Sequence, residues 1–390
     1  MDNMQRAWVE VNLDSIAHNV RQIKSILKPG TKLMGVVKAD AYGHGVYTVS
    51  KTILESGADS LAVAFIDEAV QLRKYGIDAP VLILGNSAES SIEDLIEYDI
   101  MPSVFTLEFA KLLSRKASEC GKELKVHVKV DTGMGRIGFV YGDDKAQCDE
   151  TLDDIREIYN LPGIRLEGLF THFATADEAD ETYTNIQFER FCRLCARLEE
   201  MGIEVPVKHT ANSAAQIRFE DMQLDMVRAG IILYGMYPSE EKVFGELDLK
   251  PAMTFKTRVT YIKEMEKDSA ISYGKPYVTP SKKKIATIAI GYADGYSRLL
   301  SDKARVLVDG VICPQVGRIC MDQCMIDVTN VNNINIGDEV TLFGGEIPVE
   351  DIAAKMGTIN YEVVCMVGNR IPRVYIKDEK IVDEKNSLLS

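Results

Sequence analysis

The residues with the clearest chemical potential follow a short apolar run near the start of the chain. Leu33–Val37 precedes Lys38, and Tyr42–Gly45 supplies a tyrosine, a histidine and two glycines. A lysine at the end of a buried strand can lose its charge through burial, and its neutral amine can then form a Schiff base with a carbonyl group. The glycines permit a tight turn close to a ligand. The pattern alone is equally typical of a lysine that reaches solvent.

Other chemically capable side chains follow the ends of later predicted strands. They occur in Lys129–Gly138, which includes Arg136, then in Thr171–Ala174, which includes His172, and finally in His209–Ala214 and Val227–Ile231. Each has an ordinary structural explanation, such as a solvated arginine or a hydrogen-bonded core histidine. In a barrel of parallel strands, however, all the carboxyl ends lie on one rim. The five segments therefore predict a single site.

The last two of these segments have the features of a phosphate site. Asn212 and Ser213 stand at a predicted helix start, and Gly230 and Ile231 follow the eighth predicted strand. Helix amino termini, hydroxyl groups and glycine amides bind anions, and barrels often bind phosphate after their last two strands. A Schiff-base lysine together with a phosphate site points to pyridoxal 5'-phosphate as the cofactor.

Eight apolar segments alternate with helical patterns and can place these residues on one rim. The predicted strands are Leu33–Lys38, Ser60–Phe65, Pro80–Leu84, Met101–Phe105, Leu124–Val130, Ile164–Phe170, Val205–His209 and Leu224–Ala229. A strand and helix that alternate at this spacing indicate parallel βα units. Eight units predict an α/β fold with an N-terminal (β/α)8 barrel of the TIM type, although a doubly wound open sheet has the same periodicity.

The pattern changes after Met236 to short alternating segments that turn residues separate, which predicts a mostly antiparallel C-terminal β domain. We expect the barrel to span 12–240 and to carry the cofactor. We expect the β domain to comprise 1–11 and 241–390, with Ala7–Val11 as a strand that joins it. Asp14 is predicted to cap the helix that follows this strand.

Composition limits the classes of function. The chain has 390 residues, of which 46% are hydrophobic and 27% charged, and its net charge of -14 argues against a nucleic-acid partner. The first residues lack the apolar core of a signal peptide, and no run is as long as a membrane span. The eight cysteines lack zinc-site spacing. We therefore expect a cytoplasmic enzyme without a metal and without a membrane partner.

With these motifs in place, the chain resembles the alanine racemase family over nearly its whole length. The resemblance is carried by Val37–Gly45, Lys129–Gly138, Thr171–Ala174, Ile271–Gly274, Ile290–Gly295, Cys320–Gln323 and Ile359–Glu362. One departure is Ala229, where the family usually has proline. The resemblance implies a racemase that interconverts L-alanine and D-alanine on pyridoxal phosphate and so supplies D-alanine for peptidoglycan.

The resemblance also implies roles for individual residues. Lys38 would bind the cofactor and act as the base on the D-alanine side, and Tyr273 of the β domain would be the opposite base. Arg228 would face the pyridine nitrogen, with His172 orienting it, and Arg136 and the Met321 N–H would bind the substrate. The implied phosphate contacts are Tyr42, Ser213, Gly230, Ile231 and Tyr361.

Supporting residues and a partner follow from the same resemblance. Lys129 is carbamylated in some members and would then position Arg136, although an ordinary ion pair with Asp131 explains it equally well. Asn212, Tyr292 and Asp322 are implied as supporting residues. Because Tyr273 and Met321 reach the other subunit's site in this family, a head-to-tail homodimer with shared active sites is implied.

Four other functions fit parts of this pattern. A serine racemase or a broad-specificity amino-acid racemase would differ only in pocket width, and Tyr361 is expected to narrow the pocket in favour of alanine. A pyridoxal-phosphate decarboxylase would use a catalytic cysteine in the β domain, where Cys320 and Cys324 lie. A non-catalytic pyridoxal-phosphate carrier would consist of the barrel alone.

Overall fold

A computed structural model describes residues 5–239, 243–244 and 247–389 of the chain. The described residues form two compact units. The barrel unit takes them from 17–41 and 46–249, and the β unit takes them from 1–16, 42–45 and 250–390. The predicted domain boundary between residues 240 and 241 lies outside the described residues. No helix among the described residues is long and apolar enough to cross a membrane.

The chain starts with strand β1 (Ala7–Asn12) and a helix over Leu13–Ser25, and then alternates between strands and helices. The strands of the barrel unit are β2 (Lys32–Val36), β3 (Ser60–Val63), β4 (Val81–Ile83), β5 (Met101–Val104), β6 (Leu124–Asp131), β7 (Phe139–Val140), β8 (Ile164–Phe170), β9 (Val207–His209) and β10 (Met226–Ala229). The helices between them are Val46–Glu55, Ile66–Lys74, Ile92–Glu97, Leu107–Glu119, Lys145–Tyr159, Thr182–Glu200 and Ser213–Arg218.

Eight parallel strands of this unit close into a barrel. They pair in the order β10-β2-β3-β4-β5-β6-β8-β9, and the short β7 pairs with β6 outside this path. Two backbone hydrogen bonds join the ends of the path, from Asp225 N to Lys208 O (3.1 Å) and from Arg228 N to Ala211 O (3.0 Å). The predicted (β/α)8 barrel is confirmed, and the open sheet that shares its periodicity is wrong.

The helices around the barrel have the spacing that buries one face of each. Val46, Val49 and Ile53 of the helix Val46–Glu55 are at most 2% exposed, and they stand three or four residues apart. The first turn of the helix Leu107–Glu119 is capped by Thr106, whose hydroxyl accepts the Phe109 N–H (3.3 Å). These apolar faces fix the strand ends that carry the site.

The β unit contains ten more strands. They are β11 (Met253–Met265), β12 (Ala270–Ile271), β13 (Tyr277–Val278), β14 (Lys283–Ile288), β15 (Arg305–Val308), β16 (Val311–Val316), β17 (Cys324–Asp327), β18 (Glu339–Phe343), β19 (Arg373–Lys377) and β20 (Lys380–Lys385), and helices span Val349–Met356 and Asn360–Cys365. The main sheet runs β14-β17-β16-β15-β18-β11-β1-β19-β20, and β14 also pairs with β11. β1 pairs antiparallel with β11 and parallel with β19, and the other pairs are antiparallel.

Several predicted element ends are wrong for local reasons. Leu224 has φ 50°, a left-handed conformation that a strand does not accept, so β10 starts at Met226. The helix cap is Asn12, whose side chain accepts the Ser15 N–H (2.8 Å), whereas the Asp14 carboxylate accepts the Asp378 N–H (2.7 Å). The strand predicted to reach Lys38 ends at Val36, because the backbone becomes left-handed three residues later, at Ala39.

A left-handed turn follows Lys38. Ala39, Asp40, Ala41 and Tyr42 all have φ values of 53–54°. L-residues pay roughly 1–2 kcal/mol each in this region, so four in succession need external support. The Glu68 carboxylate accepts the Ala39 N–H (2.6 Å), and the Asp40 carboxylate accepts the Val46 N–H (2.8 Å). The turn is therefore held by side chains from its own barrel unit.

We expect Ala39→Gly to leave the free energy of unfolding unchanged or to raise it, because glycine has no steric penalty at positive φ. The matched control is Ala196→Gly in the middle of the helix Thr182–Glu200, where it should cost about 1 kcal/mol. Urea denaturation of the two variants measures the difference. Equal losses in both would show that the left-handed turn carries no strain at Ala39.

Candidate active site

The chemically capable side chains of the barrel unit converge at the carboxyl ends of its strands. Lys38 lies two residues beyond β2 and is half-buried, and His172 lies two residues beyond β8. Burial and then the charges of Arg228, Arg136, Lys129 and Lys38 hold the pKa of His172 well below its usual value. The imidazole is therefore neutral at physiological pH, and four cationic side chains surround it. The single predicted site of the barrel is built from these residues.

Arg228 is the most constrained of these cations. Its side chain is 3% exposed, and Nη1 donates to Nδ1 (2.9 Å) and to the backbone oxygen (3.0 Å) of His209. Nη2 donates to the carbonyl oxygens of Thr171 (2.8 Å) and Thr210 (2.9 Å) and lies 3.4 Å from Nδ1 of His172. No carboxylate among the described residues pairs with it. His209, which the sequence analysis did not assign as a site residue, therefore orients Arg228 more closely than His172 does.

The contacts of His209 and His127 determine which ring nitrogen of each neutral histidine carries the proton. Because Arg228 donates to Nδ1 of His209, the proton of that neutral ring is on Nε2, which lies 2.9 Å from Nδ1 of His127. His127 accepts there, so its own proton is on Nε2. Burial and then the Arg228 charge lower the pKa of His209 well below its usual value and that of His127 to about 3. A directional chain of donors runs from Arg228 into the barrel.

One of the five N–H groups of the Arg228 guanidinium has no hydrogen-bond acceptor among the described residues. The four N–H groups on Nη1 and Nη2 face the acceptors of His209, Thr171, Thr210 and His172, whereas Nε has no partner among the described residues. Burial and then Arg136 lower the pKa of Arg228 to about 9. The guanidinium is still protonated at neutral pH, so Nε–H is a charged donor that has no protein acceptor among the described residues.

Lys129 is buried among these cations. It is 2% exposed, its Nζ donates to the Val130 carbonyl (2.6 Å), and it lies 5.5 Å from the centre of the Phe170 ring. Burial lowers the pKa of Lys129, and the negative charge of Asp131 opposes this shift. The positive charges of Arg228 and Arg136 lower the pKa further, to about 7. The ion pair with Asp131 that sequence allowed does not form. Lys129 is instead an amine that is about half neutral at pH 7.

Asp131 organises the loop that carries Arg136. Its carboxylate accepts the backbone N–H groups of Gly133 (2.9 Å), Met134 (2.8 Å), Gly135 (3.1 Å) and Arg136 (3.2 Å). Burial would raise the pKa of Asp131, but the bonds from Gly133 and Gly135 and the nearby Lys129 charge lower it overall. The carboxylate stays ionised and bends the loop so that Arg136 is exposed at the rim.

The residues of the predicted anion site lie close together. The Ser213 hydroxyl accepts the Gly230 N–H (2.9 Å), and Asn212 caps the helix Ser213–Arg218 by accepting the Ala215 N–H (3.0 Å). A 3-10 turn begins at Ile231, so its first amides have no carbonyl partner within the turn. The first residues of the helix Ser213–Arg218 and of the 3-10 turn at Ile231 thus bring backbone amides and a hydroxyl group together. Groups of this kind bind phosphate in proteins.

In the β unit, Tyr273 lies in the turn between β12 and β13 and is 72% exposed. Ser272, its neighbour, has φ 68°, and the Ser272 hydroxyl donates to the Arg318 carbonyl (2.7 Å). Gly274 follows with φ 73°. Two left-handed residues on either side therefore hold the tyrosine at the tip of its turn.

The segment with Met321 is fixed to the segment with Tyr292. Tyr292 N donates to the Cys320 carbonyl (3.0 Å), and Ala293 N donates to the Met321 carbonyl (3.1 Å). A Cβ atom on Gly291 would lie 2.2 Å from the Met321 oxygen, so only glycine fits there. Met321 and Tyr292 are 52% and 42% exposed. This close backbone pairing sets where the Met321 N–H points.

A network of four charges, which the sequence analysis did not find, braces these two segments. Asp294 is fully buried and pairs with Arg6 (2.6 Å) and Arg370 (3.4 Å), and Arg370 pairs with Asp322 (2.8 Å). Asp294 also accepts the Gly291 N–H (3.1 Å). The four residues are far apart in sequence, so no spacing pattern could have indicated them.

Two tyrosines predicted as phosphate contacts pack together in the same unit. The Tyr42 and Tyr361 ring centres are 6.0 Å apart, and Tyr42 is only 7% exposed. Burial, with a smaller effect of Cys365, raises the pKa of Tyr42. The Tyr42 phenol therefore remains a protonated donor at physiological pH.

Models of two protein families match the chain. "Alanine racemase, N-terminal domain" matches residues 11–238, and "Alanine racemase, C-terminal domain" matches residues 252–375. Among curated relatives, the alanine racemase of Clostridium tetani is 48% identical and covers 98% of this chain and 99% of its own length. The similarity thus extends over both units and every segment described above.

Solved structures agree with the sequence comparisons. The alanine racemase of Clostridium difficile superposes with a TM-score of 0.93 at 44% identity, over 98% of this chain and 99% of its own. The alanine racemase of Bacillus anthracis with bound L-Ala-P has a TM-score of 0.90 at 40% identity, over 99% of this chain and 98% of its own.

The buried Lys129 predicts a measurable pH dependence of stability. Its folded pKa of about 7 lies below the unfolded value of 10.5, so the unfolded state binds more protons between these pH values. Stability should rise with pH there by up to about 1.4 kcal/mol per unit. Lys129→Met should lack this slope, whereas Lys111→Met at a half-exposed site should keep it.

Urea denaturation at pH 7 and pH 9 in buffer free of carbon dioxide measures this slope. The difference between wild type and Lys129→Met should increase over that interval in favour of the wild type. The same difference at both pH values would show that Lys129 is fully charged in the folded protein.

Proposed function

The chain belongs to the alanine racemase family, and on this premise we propose that Lys38 and Tyr273 are the two bases of its reaction. As a member of that family it is an isomerase that interconverts L-alanine and D-alanine. The observation that carries the proposed site is the buried Arg228, whose single remaining N–H faces a ligand at the rim that Lys38 shares. The match of both domain models argues against a carrier that consists of the barrel alone, and the curated relatives are alanine racemases and not decarboxylases.

The described residues fit pyridoxal 5'-phosphate as the cofactor. Lys38 supplies a primary amine for its aldehyde, and Arg228 Nε–H supplies a donor for its pyridine nitrogen. The Ser213 hydroxyl and the Ile231 N–H would supply donors for its phosphate, and Gly230, whose N–H positions the Ser213 oxygen, would lie against it. Asn212 caps the helix that begins at Ser213. When bound, this cofactor withdraws electrons from an attached amino acid and so acidifies its Cα–H.

Two bases are required because the reaction inverts a tetrahedral carbon. The proton must leave from one face of Cα and another must arrive at the opposite face, and one fixed side chain does not reach both. Lys38, at the rim of the barrel, would move the proton on the D-alanine side. Tyr273 would move it on the L-alanine side, and its turn between β12 and β13 limits the positions of its hydroxyl group.

Arg228 would control the electron demand of the ring. A carboxylic acid at this place would protonate the pyridine nitrogen, but a guanidinium donates a hydrogen bond and keeps its proton. The neutral His209 and the carbonyls of Thr171 and Thr210 hold it without neutralising its charge. The ring then stays unprotonated, which favours return of the proton to Cα over side reactions.

The substrate carboxylate would bind to Arg136 and the Met321 N–H. Arg136 is exposed at the rim on the loop that Asp131 shapes, and the Met321 backbone is fixed by its pairing with Tyr292 and braced through Asp322. In relatives, the Bacillus anthracis protein binds L-Ala-P and a Clostridium difficile structure is a complex with cycloserine. Both are consistent with a pocket for a small amino acid.

Tyr361 would narrow this pocket. It packs against the buried Tyr42, which limits its freedom to move aside for a longer side chain. We therefore favour alanine over serine or a broad set of amino acids. D-Alanine for peptidoglycan, made in the cytoplasm, is the physiological role that we propose.

We also propose that Lys129 is carbamylated. A half-neutral amine is the form that adds carbon dioxide, and burial with Arg136 and Arg228 provides that form at pH 7. The product would carry a negative charge beside two cations, Arg136 and Arg228. It would then accept hydrogen bonds from Arg136 and hold that side chain towards the substrate.

A homodimer with shared active sites completes the proposal. Tyr273 and Met321 are 72% and 52% exposed on the single chain, although both are proposed to act on substrate. Chemistry of this kind needs a site from which water is excluded. A second copy would provide that cover, with Tyr273 of each chain acting on the cofactor bound by the other.

Deuterium exchange separates the two bases. In deuterated water, the wild type should convert L-alanine into D-alanine that carries deuterium at Cα. Tyr273→Phe should stop racemisation but still exchange the Cα–H of D-alanine, because Lys38 is intact. Tyr261→Phe, at an exposed tyrosine of β11, is the control and should behave as the wild type. Racemisation at an unchanged rate in Tyr273→Phe would overturn its role.

Mixing two inactive variants tests the shared sites. Lys38→Ala and Tyr273→Phe homodimers should each lack activity, but a mixed dimer contains one site with both native bases. After dissociation and random reassociation, about a quarter of the sites should be active. If the mixture stays inactive while native mass spectrometry shows mixed dimers, each site takes both bases from one chain.

A further inference from the structure

The barrel has a cavity at the end opposite the proposed active site. Its volume is about 240 Å³, and it lies among the residues that begin the strands, such as Ser60 of β3, Met101 of β5 and Met226 of β10. Chemistry in such barrels is found at the carboxyl ends of strands. Nothing in the proposed racemase function uses this cavity.

Two buried polar groups line the cavity without a partner for their donors. Ser60 is 3% exposed, and its hydroxyl has no hydrogen-bond partner. His127 is 2% exposed, and its Nδ1 accepts from His209, which leaves Nε2–H as a donor with no partner among the described residues. Buried donors are nearly always satisfied in folded proteins. Two unsatisfied donors in one cavity therefore indicate that a ligand accepts from them.

The charges at the cavity favour an anion. The ammonium groups of Lys32 and Lys125 line it and form no ion pair among the described residues. The two carboxylates that also line it are already engaged. Asp59 accepts the Leu33 N–H (2.8 Å), and Glu167 pairs with Arg165 (2.8 Å). Asp59 keeps its negative charge, so the charges without an ion pair at the cavity are two ammonium groups and one carboxylate, and their balance is positive.

The remaining walls are apolar. Met34, Met101, Val207 and Met226 line the cavity, so a ligand gains by placing hydrocarbon against them. The volume is below the range of about 300–1,000 Å³ that is usual for drug-sized ligands, which restricts the occupant to a few carbon atoms. We propose that this cavity binds a small aliphatic monocarboxylate, whose carboxylate accepts from Ser60 and His127 and faces Lys125.

Sodium butyrate is the probe, with the cofactor-loaded full-length protein. Binding is followed by calorimetry and by saturation-transfer NMR in the presence of saturating alanine, which occupies the catalytic site. The charge control is n-butylammonium chloride, which has the same hydrocarbon length and the opposite charge. Butyrate should bind in a saturable manner, n-butylammonium should not, and the ¹⁵N resonance of His127 Nε2 should shift.

Ser60→Ala should weaken butyrate binding about tenfold, as expected for a hydrogen bond to a charged group. Its matched control is Ser50→Ala, which removes another buried, unpartnered hydroxyl that does not line the cavity. If Ser60→Ala fails to fold, Lys125→Met replaces it, with Lys116→Met as its surface control. Racemase activity should be unchanged in all four variants.

Several results would overturn the proposal. One is butyrate binding that alanine abolishes, since the only site would then be the catalytic one. Another is equal affinity in Ser60→Ala and Ser50→Ala, and a third is no saturable binding, which would mean that the cavity holds only water. Because each readout is binding and not turnover, failure here leaves the proposed racemase function untouched.

Discussion

The buried guanidinium of Arg228 is the constraint on which the barrel site depends. It is a cation with no carboxylate partner among the described residues, and carbonyl oxygens and a neutral imidazole satisfy it instead. The dipoles of these carbonyl groups and of the imidazole therefore stabilise the positive charge of Arg228, but no negative charge neutralises it. Burial is the largest cause of the lowered pKa values of His172, His209, His127 and Lys129, and the Arg228 charge adds to it in each case. The neutral histidines and the half-neutral lysine follow from burial and this charge together.

Backbone geometry supplies the second constraint. The left-handed turn after Lys38 is unfavourable for alanine and aspartate, and it persists because Glu68 accepts the Ala39 N–H and Asp40 of the turn accepts the Val46 N–H. The loop before Arg136 depends in the same way on one carboxylate, Asp131. In the β unit, the Ser272 hydroxyl fixes the backbone next to Tyr273 by its bond to the Arg318 carbonyl. Gly291 allows the close backbone pairing that holds Met321. Lys38, Arg136, Tyr273 and Met321 thus each lie next to a backbone segment whose conformation depends on one or two neighbouring residues.

The two ends of the barrel differ in how well their polar groups are satisfied. At the carboxyl ends, the one free N–H of Arg228 is explained by the cofactor that we propose. At the amino ends, Ser60 and His127 leave two donors facing a cavity. His127 and His209 connect these ends through 2.9 Å contacts. Donors without a protein partner that face a cavity, at Ser60 and His127, therefore distinguish the amino ends of the barrel from its carboxyl ends.

Sequence determined the eight βα units, the antiparallel second unit and the residues of the proposed site, because these depend on local periodicity and on short motifs such as Val37–Gly45. Sequence did not predict β16, β20 or the helix Asn360–Cys365. A proline interrupts the apolar pattern of β16. β20 is largely exposed, and the helix has only six residues, so neither has a clear periodic pattern. The Arg228–His209–His127 contacts and the Arg6–Asp294–Arg370–Asp322 network were decided by tertiary structure alone. Their members come from strands and loops that are far apart in the sequence and meet only in the folded chain, so no local pattern records them.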